Sequence, residues 1–202
     1  TMVPMTGNKL SASPEAMERA AAVYTPMGIT AENVAKRFNV SREDQDKFAL
    51  SSHKKATVAR ESKKFDDEIV AVKAVRYSGN ERVEFDFKAD ELVRPDTTLE
   101  GLAKLPPAFD PQGTVTAGNS SQLSDGAAAL VLMSDAEAAR KNLKPLGAYH
   151  GLVVAGCEPD EMGIGPVFAI PKLLERHGLK LDDIDLIELN EAFAVQTVYC
   201  RD

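Results

Sequence analysis

The sequence predicts an α/β fold in which helices cover a parallel β-sheet. Three observations support this prediction: apolar segments alternate with helical patterns over residues 152–199, a hairpin pattern precedes them, and capping signals mark helix starts along the chain. Strand–helix–strand order is typical of a βαβ unit, because parallel strands need a long crossover connection, usually a helix. The 202 residues suffice for one large domain or two small ones.

The beginning of the chain is predicted to be helical. Ser13 followed by Pro14 indicates a helix start, because serine caps free N–H groups and proline fits the first helical turn. A second start is predicted at Thr30. A third is predicted at Ser41, where Asp44 favours a capping interaction and a long, basic helix follows. The simplest interpretation of that basic face is a surface in contact with solvent.

The clearest β pattern is the alternation of Val83, Phe85 and Phe87 with charged residues. Alternation predicts a strand with one buried face and one face in solvent. The apolar run 69–75 precedes it, and a Ser-Gly-Asn turn separates the two, so we expect a hairpin. A short helix is predicted to follow from Thr98 and to end before a pair of prolines.

The second half of the chain is predicted to supply buried strands and their covering helices. Three short apolar runs have the length of strands buried on both faces: residues 127–133, 152–155 and 184–189. Three helical patterns follow them in turn: residues 134–142, 166–177 and 191–199. Pro171 lies inside the second helical pattern and predicts a kink or a late helix start.

Composition excludes several classes of protein. The formal net charge is −7, which argues against broad binding to nucleic acid. No apolar run approaches the ~20 residues of a membrane helix, so we expect no membrane insertion. Two cysteines make no disulfide framework and fit a reducing compartment.

Four segments are candidates for chemistry. Three contain glycine: residues 27–28, 116–126 and 162–166. None is a phosphate-binding or dinucleotide fingerprint, and each alone is typical of a turn. The fourth, residues 190–193, follows a predicted strand, where α/β proteins bind ligands. By spacing alone, Asn190 is either a helix N-cap or a group that contacts substrate.

The histidines and cysteines lack the setting of catalytic groups. His53 lies in a charged helical pattern, His150 precedes a glycine, and His177 lies beside a helix end. No pair has the spacing of metal ligands, so no metal site is predicted. Cys157 and Cys200 are nucleophiles in principle, but most lone cysteines are not reactive.

Together the four segments resemble signatures of the thiolase family. The matching strings are PMGITAENVAKRFNVSREDQD at 26–46, TAGNSSQLSDGAAALVLM at 116–133, MGIGPVFAIPKLLERHGL at 162–179 and NEAFAVQ at 190–196. They occur in the family's order and at about its spacing, and the resemblance covers essentially the whole chain. It implies the thiolase fold, in which two similar α/β domains carry a loop domain inserted in the first.

The resemblance also implies a domain division. Residues 1–117 look like the α+β loop domain that binds CoA, residues 118–144 like the end of the N-terminal thiolase domain, and residues 145–202 like the start of the C-terminal one. The chain is then expected to be an internal fragment. The family's nucleophilic cysteine would lie upstream, and its acid/base cysteine and histidine downstream. Since Cys157 and Cys200 match neither position, the fragment alone is expected to be inactive.

By the same resemblance, Asn190 is similar to the family asparagine that holds a water in an oxyanion hole. A thioester carbonyl gains negative charge during attack, so a fixed donor there stabilises the transition state. The other matches are positions near the substrate. Phe193 matches an aromatic wall of the same pocket, Met162 the residue that lines the acyl end, and Met27 a loop-domain segment that faces the substrate. Ser121 and Ala117 match positions at the pantetheine arm, and Phe109 and Arg94 match positions near the adenine.

The implied function is acyl transfer. The complete enzyme would cleave 3-oxoacyl-CoA with CoA to acetyl-CoA and a shortened acyl-CoA, as in fatty acid β-oxidation, through a covalent acyl-enzyme. CoA is the co-substrate, and no separate cofactor is expected. Pro26 stands where short-chain thiolases commonly carry histidine, which favours the degradative type. A homodimer or homotetramer in a bacterial-type cytoplasm is expected, with mitochondria and peroxisomes as alternatives.

Three other interpretations stay open. The first is a biosynthetic thiolase that forms acetoacetyl-CoA. The second is a non-catalytic, truncated acyl-CoA-binding protein. The third is a condensing enzyme of the ketoacyl-synthase type, which is disfavoured because such enzymes carry histidine where this chain has Asn190.

Overall fold

The computed structural model describes residues 12–124 and 126–202, so the first eleven residues of the predicted loop domain and Asp125 of the second candidate segment lie outside the description. Within the described residues the chain forms seven α-helices and one two-stranded antiparallel sheet. None of these helices is long and apolar enough to cross a membrane.

Three helices at the start of the chain confirm the helical prediction: α1 (Pro14–Ala20), α2 (Met27–Phe38) and α3 (Arg42–Glu61). The side chains of Ser13 and Ser41 cap α1 and α3 as predicted. The predicted start at Thr30 is wrong, because α2 begins at Met27. Thr30 Oγ1 donates to the Met27 carbonyl at 2.7 Å, so this hydroxyl bonds back into the helix instead of capping it.

The predicted hairpin is confirmed. β1 (Val72–Ser78) and β2 (Glu81–Phe87) pair antiparallel, with Val72 opposite Phe87. Gly79 at the turn has φ +62°, a conformation that glycine adopts without steric cost. The expected burial of one face is only partial, because Val83 and Phe85 are half-buried while Phe87 is 41% exposed.

Four helices follow the hairpin: α4 (Leu99–Ala103), α5 (Asp135–Arg140), α6 (Gly165–His177) and α7 (Ala194–Arg201). Thr98 and Ser134 cap α4 and α5 through their side chains, at the helix starts that the sequence predicts. The late start predicted for α6 is wrong, because this helix begins before Pro171 and continues through it. α7 begins at Ala194, later than the predicted residue 191.

The three predicted buried strands are not formed in the described residues. Residues 127–133, 152–155 and 184–189 pair with no other described segment, and several of their apolar side chains are exposed, Leu130 at 85% and Val154 at 80% among them. A strand satisfies its backbone groups only against a neighbouring strand. Lys172 and Arg176 of α6 instead donate to the carbonyls of Val154 and Leu152.

The core joins distant parts of the chain. Three of its residues belong to α2, one belongs to α7, and two belong to the segments between these helices. They are Ala31, Val34 and Ala35 of α2, Val195 of α7, and Val115 and Ile164. Phe38 and Tyr199 stack beside it with ring centroids 4.0 Å apart. Packing of these apolar residues therefore brings three of the four candidate segments to one region.

Candidate functional site

Two candidate segments are hydrogen-bonded to each other. Ser121 N donates to the Ala192 carbonyl at 2.9 Å, and Ala194 N donates to the Asn119 carbonyl at 2.9 Å. Ser120 and Phe193 form the antiparallel bridge between these bonds. The polar loop 118–122 is therefore fixed directly against residues 190–194, although about seventy positions separate them in sequence.

A cavity of about 680 Å³ opens beside this junction, between α3, the loop 118–122 and residues 188–191. Asn190 and Ser121 both line it. Asn190 is exposed, and its amide makes no hydrogen bond to another described residue. The N-cap of α7 is Phe193, so the alternative role of Asn190 as a helix cap is wrong. An amide without a hydrogen-bond partner among the described residues can donate to a ligand in the cavity.

The part of the cavity lining where α3 meets Glu191 is polar. Ser52 Oγ donates to Glu191 Oε2 at 2.6 Å, and both residues line the cavity. His53 also lines it, and its Nδ1 accepts from the Arg94 N–H at 3.3 Å. Sequence reasoning assigned His53 to a solvated helix face and missed it. No motif marks this residue, because it reaches the cavity only through packing of α3.

A second group of predicted substrate residues lies around Gly28. Phe109 packs on Gly28, at the start of α2, and meets Phe193 edge to face with centroids 6.0 Å apart. Met27 is adjacent and half exposed. Phe109 and Arg94 were both predicted to lie near the adenine of CoA. In the structure Phe109 contacts Gly28 and Phe193, whereas the backbone N–H of Arg94 donates to His53.

A buried polar network holds the loop 118–122 in place. Asn119 is 3% exposed; its Oδ1 accepts from Thr116 N at 2.8 Å, and its Nδ2 donates to Asp46 Oδ1 at 3.0 Å. Asp46 in turn accepts from Arg42, which donates to the Leu102 carbonyl. The network ties the loop to α3 and α4. Ala117, predicted to contact pantetheine, is exposed immediately before this loop.

Met162 lies in a 3₁₀ segment, Pro159–Ile164, that packs on α2 and α7. A Cβ on Gly163 would lie 3.0 Å from Gln196 Cβ of α7, so only glycine fits there without displacement. Met162 itself is 48% exposed. It does not line the cavity of Asn190, so the described residues place the predicted acyl-end residue apart from the predicted oxyanion residue.

The two cysteines have unfavourable settings for nucleophilic attack. Burial raises the pKa of Cys157, and the charges of Glu161 and Glu158 raise it further. Burial also raises the pKa of Cys200. A raised pKa lowers the thiolate fraction at neutral pH. Nor does the described part of the chain contain a group of three or more potential metal-ligating side chains.

Gly28→Ala tests the packing of Phe109. Alanine is ordinarily the better helix residue, but here its methyl would overlap the Phe109 ring. We expect overpacking to cost about 1–3 kcal/mol and to lower the thermal unfolding midpoint by several degrees, measured by circular dichroism. Gly147→Ala is the matched control, because a Cβ there meets no atom within 4 Å. An equal or raised midpoint for Gly28→Ala would show that the ring moves without cost.

Comparison with known proteins places this chain in one family, over nearly all of its length. Residues 9–136 match the family model "Thiolase, N-terminal domain", and residues 143–202 match "Thiolase, C-terminal domain". The chain is 52% identical over 186 residues to an Arabidopsis thaliana protein named 3-ketoacyl-CoA thiolase 1, peroxisomal, an alignment that covers 91% of this chain and 42% of the relative.

Solved structures agree with the sequence comparison. The dimeric peroxisomal thiolase of Saccharomyces cerevisiae is similar with a TM-score of 0.83 and 43% identity, over 97% of this chain and 50% of that one. The Bacillus anthracis acetyl-CoA acetyltransferase is similar with a TM-score of 0.78 and 48% identity, over 87% of this chain and 43% of that one. The chain thus spans half or less of the length of these three relatives, and the predicted fold class is confirmed.

Proposed function

This chain belongs to the thiolase family, and from that premise we propose that it forms the substrate-facing part of an acetyl-CoA C-acyltransferase. The complete enzyme cleaves 3-oxoacyl-CoA with CoA to acetyl-CoA and a shortened acyl-CoA. The main support for this proposal is the hydrogen-bonded junction between residues 119–121 and 192–194. Ser121 and Asn190 line the same cavity beside this junction.

The proposed role of Asn190 follows from the charge that develops in the reaction. When a nucleophile attacks a thioester, the carbonyl oxygen becomes an oxyanion, and a fixed donor stabilises this state more than the neutral substrate. The amide of Asn190 supplies such a donor, directly or through a bound water. The neighbouring hydrogen bonds of Ser121 N and Ala194 N fix the backbone on both sides of the cavity wall, which reduces reorganisation during the reaction.

The other predicted site residues have roles that follow from the family positions that they match. Ser121 and Ala117 contact the pantetheine arm, and Phe109 and Arg94 lie towards the adenine. Met162 lines the acyl end, Phe193 forms an aromatic wall of the oxyanion pocket, and Met27 faces the substrate from the loop domain. The nucleophilic cysteine and the acid/base cysteine and histidine lie outside this chain. Residues 1–117 form the loop domain, 118–144 the end of the first thiolase domain and 145–202 the start of the second.

The ligands, assembly and location of the enzyme follow from the same proposal. CoA and acyl-CoA are the ligands, and no other cofactor takes part. Assembly as a dimer is supported by the yeast relative, which is described as dimeric. A bacterial-type cytoplasmic location is proposed from the sequence, while the relatives include both a peroxisomal and a bacterial protein, so family membership alone leaves the compartment open.

A biosynthetic thiolase is the second candidate, favoured by the similarity to the bacterial acetyl-CoA acetyltransferase. An activity assay distinguishes the degradative from the biosynthetic candidate. It uses purified enzyme in which these residues are part of a complete thiolase subunit. We expect thiolysis of 3-oxoacyl-CoA substrates whose acyl chain is longer than four carbons. The reaction is monitored as the loss of absorbance of the Mg²⁺–enolate of the substrate. Activity restricted to acetoacetyl-CoA would favour the biosynthetic candidate. Turnover by the 202-residue chain alone would contradict the placement of the catalytic cysteines outside it.

A further inference from the structure

Arg37 of α2 clamps the segment that carries Met162. Its guanidinium donates to Asp160 Oδ2 at 2.5 Å, to Asp160 Oδ1 at 3.1 Å and to Glu161 Oε2 at 2.6 Å. Asn33, one helical turn earlier, donates from Nδ2 to the Asp160 carbonyl at 2.8 Å. Two side chains of one helix therefore hold both the backbone and the carboxylates of a segment more than 120 positions away in sequence.

The clamped segment has little internal structure of its own. Pro159–Ile164 is a 3₁₀ turn, interrupted at Glu161, where φ is −134° and ψ is 26°. Short 3₁₀ turns have poor hydrogen-bond geometry, so contacts from outside decide their position. At the other end Ile164 is buried in the core, and Gly163 lies against Gln196. Met162 thus lies between a packed anchor and a charged anchor, with its side chain half exposed.

The charged anchor lies on the same helix as a second methionine. Met27 is the first residue of α2, and Arg37 lies near the end of the same helix. A helix is rigid over three turns, so the clamp fixes the Met162 segment relative to the helix that begins at Met27. Both methionines are 48% exposed.

We propose that Arg37 is a positioning residue that sets the acyl-chain selectivity of the enzyme by fixing the Met162 segment against α2. The inference rests on the proposed thiolase function, because only that function places Met162 at the acyl end and Met27 in the loop-domain segment that faces the substrate. Arg37 touches no substrate in this arrangement. It acts through Asp160 and Glu161.

The chemistry of the pair suits this role. The hydrogen bonds from Arg37 hold the pKa of Asp160 below its ordinary value, and burial opposes this shift only partly. The pair is therefore charged at neutral pH, and its contribution to stability is lost only as the pH falls through that lowered pKa. A guanidinium donates two parallel hydrogen bonds to one carboxylate, and a lysine ammonium cannot reproduce this geometry. Solvent-accessible ion pairs contribute little to global stability, so a geometric role explains the clamp better than a stabilising one.

The test uses the complete enzyme with Arg37→Ala, Arg37→Lys and Asp160→Asn. We expect Arg37→Ala to lower kcat/KM for a long-chain 3-oxoacyl-CoA by about tenfold while acetoacetyl-CoA changes by less than about twofold, since contacts with a few methylenes are worth this much. Arg37→Lys should recover part of the loss. Lys73→Ala, which breaks an exposed ion pair of the hairpin, is the matched control and should leave the ratio unchanged.

Hydrogen–deuterium exchange separates failure of the inference from failure of the proposed function. Loss of the clamp should speed exchange of the amides of residues 160–163 in Arg37→Ala and not in Lys73→Ala, whatever the enzyme's substrate. Faster exchange with an unchanged selectivity ratio would overturn the role in selectivity. Unchanged exchange would overturn the clamp itself. A wild-type enzyme without thiolase activity, but with faster exchange in the variant, would refute the substrate role assigned to the segment and the selectivity proposal with it.

Discussion

Asn190→Ala should lower the turnover of the complete enzyme by about tenfold or more, the effect of losing one oxyanion donor. The amide lies on the wall of the cavity with Ser121 and caps no helix, so its removal takes away a ligand contact without unfolding α7. Since the donor acts on charge that develops during the reaction, kcat and kcat/KM should fall together. Steady-state thiolysis of a 3-oxoacyl-CoA at saturating CoA measures both.

Two further variants sharpen this expectation. Asn190→Asp keeps the size of the side chain but places a negative charge where the oxyanion forms, so it should be at least as slow as Asn190→Ala. Asn80→Ala, in the exposed turn of the hairpin, removes an amide of the same kind far along the chain and should leave turnover unchanged. Turnover of Asn190→Ala equal to that of the Asn80 control would refute the oxyanion role.

The sequence predicted those helices whose starts depend on local chemistry. Ser13, Ser41, Thr98 and Ser134 each accept a backbone N–H from within the next few residues, so a short stretch of sequence contains the whole interaction. Thr30 shows the limit of this reasoning. Its hydroxyl bonds to the preceding turn, and the local pattern does not distinguish the two outcomes.

The strand predictions failed for a different reason. An apolar run such as 127–133 has the composition of a buried strand, but a strand exists only with a hydrogen-bonded neighbour. No described residue pairs with it, and its leucines are exposed. The pairing of residues 119–121 with 192–194 was equally invisible to local patterns, because it depends on tertiary packing across the core.

The candidate site was predictable where motifs mark it. The family resemblance selected Asn190 and Ser121, and the structure brings both to one cavity. His53 could not be selected, because a histidine in a charged helix has no local signal of burial. The same holds for Glu32 and Asp46. Their helices are rich in charge, and the sequence does not show which carboxylates are buried.

Glu32 of α2 stabilises the position of residues 113–115. It is 2% exposed, and its carboxylate accepts from the backbone N–H groups of Thr114 and Val115 at 2.9–3.0 Å. A side chain at Gly113 would collide with this carboxylate, so the segment approaches as closely as glycine allows. Glu32 therefore attaches the segment that leads into the loop 118–122 to α2.

Glu32→Ala should destabilise the protein by about 3 kcal/mol or more, because the buried N–H of Val115 and the part-buried N–H of Thr114 lose their carboxylate acceptor and a cavity remains. We expect the thermal unfolding midpoint to fall by several degrees. Glu32→Gln keeps one acceptor oxygen and should lose less. Glu43→Ala breaks the exposed pair with Lys47 on α3 and should change the midpoint little. If Glu32→Ala unfolds at the temperature of the Glu43 variant, water replaces the carboxylate without cost, and the attachment of residues 114–115 to α2 rests on the apolar contacts of Val115 with Ala31 and Val34.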